Sequence, residues 1–294
     1  MTNSMGKRFK ALVHEHAPLP LMGTINAYSA LLAQQAGAQA IYLSGAGVAN
    51  ASYGLPDLGM TSFTEVMDDV GRITQACSLP LLVDIDTGWG HAFNIARAVK
   101  LMERAGVAAV HIEDQVSMKR CGHRPNKAIV SMQEMGDRIK AAVDARDNHD
   151  FVIMARTDAL AVEGMSAALE RCAFYVECGA DMLFPEALTQ LDEYSAFTQS
   201  LNRPILANIT EFGKTPLFTR EQLALVGVKL VLYPLSAFRA MSQAALTVYN
   251  TILMQGTQSD VLSMMQTRDD LYTVLAYRDY EKKLDQLMED HDDQ

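Results

Sequence analysis

No two of the four cysteines, Cys77, Cys121, Cys172 and Cys178, stand at Cys-x-x-Cys spacing. That excludes the common zinc-site pattern, and scattered thiols in a chain this long make no disulfide framework. A reducing, cytoplasmic setting is expected. No apolar run approaches the roughly 20 residues that span a bilayer. Residues 1–10 are polar and lack the apolar core of a secretion signal. Positive charge is scarce: 25 Lys and Arg stand against 35 Asp and Glu, for a net charge of −10. An acidic surface repels nucleic acid and anionic membranes, so neither is expected as a partner. A small anionic substrate would need a few arginines to reverse the sign locally.

What is present suits one large α/β domain. The 294 residues, 49% of them hydrophobic, match the usual size of a single barrel. Short apolar runs bounded by turn residues predict strands at Leu21–Ile25, Ala40–Leu43, Pro80–Asp84, Ala108–Ile112, Phe151–Thr157, Met182–Phe184, Ile205–Asn208 and Leu230–Tyr233. Amphipathic helical patterns lie between them, most clearly at His91–Ala105 and Met165–Cys178. Several close on a glycine before the next strand, as at Ala36-Gly37, Ala105-Gly106 and Cys178-Gly179. Eight such βα units predict a (β/α)8 TIM-type barrel over residues 1–294. A doubly wound sheet is the weaker alternative, because the first βα turn has no dinucleotide fingerprint. Helices are expected at Ser236–Gln255 and near Thr267–Met288. The second exceeds the barrel's need; it packs either on its own barrel or on a neighbouring subunit.

In such barrels chemistry sits at the carboxyl ends of the strands. Those ends read Ser44-Gly45-Ala46-Gly47, Asp84-Ile85-Asp86, Glu113-Asp114-Gln115, Arg156-Thr157-Asp158, Pro185-Glu186 and Asn208-Ile209-Thr210, with Arg239 beyond the eighth. Any one could cap a helix; so many polar ends together favour a site. Asp84 and Asp86, two apart, share a face in an extended segment. Such a sparse oxygen set suits Mg²⁺, although a capping role for either aspartate stays open. Arg156 and Arg239 are candidate clamps on substrate carboxylates, or else salt-bridge partners of acids at the mouth. Gly45 and Gly47 would let backbone amides approach a ligand. After the fourth strand, residues 115–127 make a long polar excursion of the kind used as a binding loop. There Lys119, Arg120, His123 and Arg124 surround Cys121, and their charge should favour its thiolate. A thiol that exchanges its proton near neutral pH is a usable acid or base; the alternative is an exposed surface cysteine.

Together, Lys119-Arg120-Cys121-Gly122-His123, Asp84-Ile85-Asp86-Thr87-Gly88, Ala155-Arg156-Thr157-Asp158-Ala159, Phe184-Pro185-Glu186 and Asn208-Ile209-Thr210-Glu211-Phe212 resemble the isocitrate lyase and phosphoenolpyruvate mutase superfamily over nearly the whole chain. Arg120, where isocitrate lyases carry a second lysine, points to the methylisocitrate lyases. Isocitrate lyase, giving glyoxylate and succinate, is the alternative; a mutase, an oxaloacetate hydrolase or a barrel that only binds an organic acid are further rivals. The resemblance implies Mg²⁺-dependent cleavage of 2-methylisocitrate to pyruvate and succinate, in the methylcitrate cycle of propionate catabolism. It implies that Asp84 and Asp86 hold the metal. It implies that Ser44, Gly45, Ala46, Gly122, Arg156, Glu186, Asn208, Ile209, Thr210, Arg239 and Arg268 line the substrate pocket. Cys121 is the implied acid, assisted by His123; Tyr42 and Glu113 are candidate bases by position. It also implies a homotetramer whose C-terminal helical extension, about 257–294, is exchanged between subunits. The family has Ser-Gly-Gly-Gly where this chain has Ser44-Gly45-Ala46-Gly47, which is tolerable if Ala46 keeps a negative φ.

Overall fold

The computed structural model describes residues 4–119, 122 and 127–292. The chain forms two compact units, Met1–Phe238 and Arg239–Gln294.

The first unit is built on eight parallel strands: β1 Leu19–Thr24, β2 Ala40–Leu43, β3 Leu81–Asp84, β4 Ala109–Glu113, β5 Val152–Thr157, β6 Met182–Pro185, β7 Leu206–Asn208 and β8 Leu230–Tyr233. Each pairs with its neighbour in sequence from β1 to β6; β8 pairs with both β1 and β7. A parallel bridge from Leu183 to Ile205 nearly closes the ring between β6 and β7. This order excludes a doubly wound sheet, whose strand order reverses at a switch point. The predicted strands stand within two residues of the observed ones.

Strand side chains alternate between two cores, as a period of two requires. Leu21, Tyr42, Leu82, Ala109, Met154, Phe184 and Leu232 pack along the barrel axis. Ile41, Val83, Val110, Ile153, Leu183 and Val231 face outward, under the helices. Helix Met5–Glu15 plugs the amino end of the barrel with Phe9, Leu12 and Val13. The polar start of the sequence gave no hint of that helix, because only one stripe of it is apolar. Ser4 caps it by accepting from Lys7 N at 3.2 Å. Helices Ala92–Arg104 and Met165–Glu177 fall where the periodicity predicts them. Cys172 and Cys178 lie in the outer core, and Cys77 caps the end of helix Phe63–Ala76.

The second unit comprises most of helix Ser236–Gln255, a 3₁₀ turn at Ser259–Met264, and helices Arg268–Val274 and Tyr277–Asp292. The helical stretch expected near Thr267–Met288 is thus two helices. Ala276 breaks it with a left-handed φ of 50°.

Candidate active site

The alternation that fills the barrel also delivers its polar mouth. Leu82 faces the axis, and so does Asp84 two residues on; Ala109 is followed by His111 and Glu113, Met154 by Arg156, Phe184 by Glu186, and Leu206 by Asn208. The register sets Asp84 beside His111 and Glu113 beside Arg156. All of these polar side chains are buried.

Asp84 is pinned by two backbone amides: Gly45 N donates to Oδ2 at 3.1 Å and Asp86 N to Oδ1 at 2.9 Å. His111 Nε2 lies 3.6 Å from Asp84 Oδ1 and 2.9 Å from the Tyr42 hydroxyl. Asp86 adopts a left-handed φ of 47°, which turns the chain at the strand end. The Lys119 ammonium bridges Asp86 to Asp57, lying 2.7 Å from Asp57 Oδ1. The Lys119 ammonium is thus engaged by two aspartates, partners that the sequence pattern does not reveal. A cavity of about 270 Å³ beside Asp86 is lined by Thr61, Thr87, Trp89, Ser117 and Lys119.

Arg156 lies among three carboxylates, 3.1 Å from Glu113 Oε2, 3.2 Å from Asp158 Oδ2 and 3.4 Å from Glu186 Oε2. Its guanidinium also covers the Phe184 ring at 5.2 Å. The arginine is thus salt-bridged to acids at the mouth, as the second of its two readings expects. Asn208 Nδ2 donates to Glu186 at 3.2 Å. Lys127 joins Asp158 and donates to Gly122 O at 2.7 Å. A methyl on Gly122 would lie 2.6 Å from Arg156 Nη2 and 2.6 Å from Glu186 Cγ. Gly122 thus packs directly against the arginine.

Electrostatics separate the acids. Burial raises the Glu113 carboxyl well above the ordinary range, despite the opposing Arg156. Burial and the neighbouring Asp84 push Asp86 upward. Burial acts in the same direction on Asp84, but His111, Lys119 and Arg156 outweigh it and hold Asp84 down. Burial and Asp84 also raise the Tyr42 hydroxyl. Burial lowers His111 to about 4, leaving it neutral.

The residues at Asp84 fit a hydrated divalent cation. Glu113 Oε1 is buried without a hydrogen-bond donor among the described residues, while Asp86 Oδ1 and Glu113 Oε2 meet only the ion-pair partners Lys119 and Arg156. A buried acceptor left unpaired calls for an ion or its waters. Gly45 leaves an open cradle, because a methyl there would stand 3.0 Å from Asp86 Oδ1 and 3.2 Å from Asp84 Oδ2. Among the described residues no three His, Cys, Asp or Glu side chains converge as a closed cage. Two carboxylates with the remaining positions open are the sparse set that Mg²⁺ accepts.

The other expected site residues divide into three groups. Ser44 and Thr210 are buried at strand ends, and Ala46 sits in the helical turn Gly45–Gly47, free of the left-handed region. The Ile209 side chain faces the outer core, away from the mouth, and its amide donates to Leu232 O at 2.8 Å. Arg239 and Arg268 belong to the second unit. Cys121 and His123 lie outside the described residues. Sequence reasoning missed Asp57, His111, Lys127 and Asp158 as partners. Asp57 lies in an irregular segment with no periodic signal, and a buried histidine in an apolar strand reads as core.

The phosphoenolpyruvate phosphomutase family model matches residues 9–253. A 2-methylisocitrate lyase of Vibrio cholerae is 64% identical, with 98% of this chain and 95% of the relative covered. One of Escherichia coli K12 is 61% identical, with 97% of each covered. Among solved structures, 2,3-dimethylmalate lyase superposes with a TM-score of 0.89 at 30% identity, covering 97% of this chain and 95% of that one. Phosphonopyruvate hydrolase with oxalate and Mg²⁺ superposes with a TM-score of 0.83 at 28% identity, covering 95% and 97%. The acid-and-arginine mouth on a parallel barrel and these likenesses agree: the chain belongs to the phosphoenolpyruvate phosphomutase family and, within it, to the carbon–carbon lyases grouped as 2-methylisocitrate lyases.

Proposed function

We propose that the chain cleaves 2-methylisocitrate to pyruvate and succinate with Mg²⁺ at Asp84 and Asp86. The observation that carries this reading is the mouth in which buried Asp84, Asp86, Glu113, Asp158 and Glu186, with half-buried Asp57, face Lys119, Lys127 and Arg156. That excess of buried carboxylate favours a divalent cation. When bound, the cation would supply Lewis acidity to the oxygen that sheds its proton.

The chain's own residues account for the remaining needs. Breaking the carbon–carbon bond of a tertiary alcohol requires loss of the hydroxyl proton. It also places negative charge on the leaving carbon, delocalised into its carboxylate. Arg156 would hold a substrate carboxylate; Arg239 and Arg268 are further candidates for a carboxylate contact by resemblance to the family. Ser44, Gly45, Ala46, Gly122, Glu186, Asn208, Ile209 and Thr210 would shape the pocket. Cys121 would give its proton to the carbanion, with His123 setting the charge around it. Tyr42 and Glu113 are the candidates for taking the hydroxyl proton. Burial raises both in the free protein, so positive charge that lowers them favours the role.

A homotetramer accompanies this reading. Leu246, Tyr249, Ile252, Leu253, Leu284 and Leu287 are exposed on the helices of the second unit. That much apolar surface favours burial against other subunits. A cytoplasmic setting accords with the scattered cysteines and with the absence, among the described residues, of a helix long and apolar enough to cross a membrane.

The test is to incubate the purified protein with methylisocitrate and with isocitrate, with and without Mg²⁺, and to identify the products. Pyruvate and succinate from methylisocitrate, only with Mg²⁺, are expected. Faster release of glyoxylate from isocitrate would overturn the substrate assignment, since the two differ by one methyl group. A methyl is worth only about 1–3 kcal/mol in an apolar pocket, so relative rates decide the matter.

A further inference from the structure

A cavity of about 530 Å³ lies at the opposite end of the barrel from the acidic mouth. It opens where β6 and β8 begin, beside the helix that plugs the amino end. Its apolar walls include Val13, Leu201 and Pro204. Its charged lining consists of Lys10, His14, Arg203, Lys229 and one acid, Asp181.

That acid is already engaged. Asp181 Oδ2 accepts from Arg146 Nη1 at 2.6 Å and from Ile153 N at 2.9 Å, and Oδ1 lies 3.7 Å from Lys10. Lys10 also donates to His149 O at 2.8 Å. Arg203, Lys229 and His14 are left with no carboxylate in ion-pair range among the described residues. The Arg203 guanidinium is aimed by two carbonyls, through Nε to Ala180 O at 3.2 Å and Nη1 to Asn202 O at 3.0 Å. Its Nη2 remains available. A protein of net charge −10 therefore carries a cationic hollow, with one pre-set guanidinium, at the closed end of its barrel. A hollow of this size with an apolar wall and a few placed charges has the form of a small-molecule site. Local positive potential on an acidic protein selects for anions.

We propose that this cavity binds a small organic anion. Its phosphate or carboxylate rests on Arg203 and Lys229, and its carbon skeleton lies against Val13, Leu201 and Pro204. Because Val13 also packs in the barrel's interior core, an occupant here contacts the plug of the barrel directly. Binding should then raise the melting temperature by mass action.

The test uses the full chain and isothermal titration with phenyl phosphate, phenylacetate and inorganic phosphate, alongside amide exchange. One aryl anion should bind at one site per chain, more tightly than inorganic phosphate, and should slow exchange in residues 198–204 and 226–229. Arg203→Ser with Lys229→Glu should weaken it by about tenfold or more, the effect of losing a charge-assisted contact. Lys229→Glu alone serves if the double variant folds poorly, because Lys229 is exposed. The tighter of the two aryl probes identifies phosphate or carboxylate as the recognised group. Binding that is equal in parent and variants, protection confined to the carboxyl ends of the strands, or no binding of either aryl anion would overturn the proposal.

Discussion

Substituting Gly45 by alanine isolates the metal cradle from the fold. The glycine lies in a helical turn with no left-handed φ, so alanine is compatible with its backbone. Lost chain freedom in the unfolded state should even favour the variant by about 0.4–1 kcal/mol. The new methyl, however, would stand 3.0 Å from Asp86 Oδ1 and 3.2 Å from Asp84 Oδ2, so these oxygens must yield by a few tenths of an ångström. Asp84 cannot yield freely, because Gly45 N and Asp86 N both hold it. Weakening one hydrogen bond to a charged group costs about 1.5–3 kcal/mol. Metal affinity should therefore fall by about tenfold or more. Turnover at saturating Mg²⁺ should also fall, toward the roughly hundredfold loss that an ångström of misplacement brings. Calorimetric titration with Mn²⁺ or Mg²⁺, turnover and a thermal melt measure these effects separately. Gly71→Ala, whose methyl would meet nothing closer than 3.9 Å, is the control. Unchanged metal affinity and turnover in a normally melting Gly45→Ala protein would refute the cradle.

Three further outcomes are expected. Cys121→Ser should bind substrate but lose about 10²–10⁴ in turnover, the usual contribution of a positioned acid; near-normal turnover would remove Cys121 from its role. Thorough chelation should abolish activity and Mg²⁺ restore it, and activity that survives chelation would refute the metal assignment. In the metal-free protein, burial holds His111 neutral down to about 4 against an ordinary 6.5. An unfolded chain thus takes up the proton first, and stability that is full above pH 6.5 is lost as pH falls toward 4, by up to about 3 kcal/mol. His111→Asn lacks that dependence, so the stability gap between parent and variant should narrow on acidification in urea melts; a constant gap would count against it.

The barrel was legible because burial on both faces makes most strands largely apolar runs, and because several helices stop at a glycine. The carboxyl-end acids were legible for the same reason, since a charge directly after such a run has few structural excuses. The partnerships were not. Asp57 reaches Lys119 across 62 residues of sequence, and no local pattern encodes that meeting. His111 sits between apolar neighbours on a strand and is indistinguishable there from a core histidine. The break at Ala276 was hidden because helical periodicity continues on both sides of it.

The same burial that makes the mouth legible also sets a condition on its chemistry. Tyr42 and Glu113 are raised by desolvation, and a substrate with several carboxylates would raise them further. Neither can accept a proton while the negative charge around it stands uncompensated. Lys119 and Arg156 already lower both groups, yet each cation is also held by acids. Added positive charge at Asp84 and Asp86 would remove one cause of the rise in Tyr42, whose largest coulombic opponent is Asp84. Glu113 depends less on that pair and more on burial. Tyr42 is therefore the group whose readiness as a base should follow metal loading, and Glu113 the group that should respond less. Ultraviolet difference spectra of parent and Tyr42→Phe protein across a Mg²⁺ titration would decide it. A tyrosinate signal that Mg²⁺ shifts to lower pH, lost in Tyr42→Phe, is expected. A titration identical with and without Mg²⁺ would exclude Tyr42 and leave Glu113 as the base.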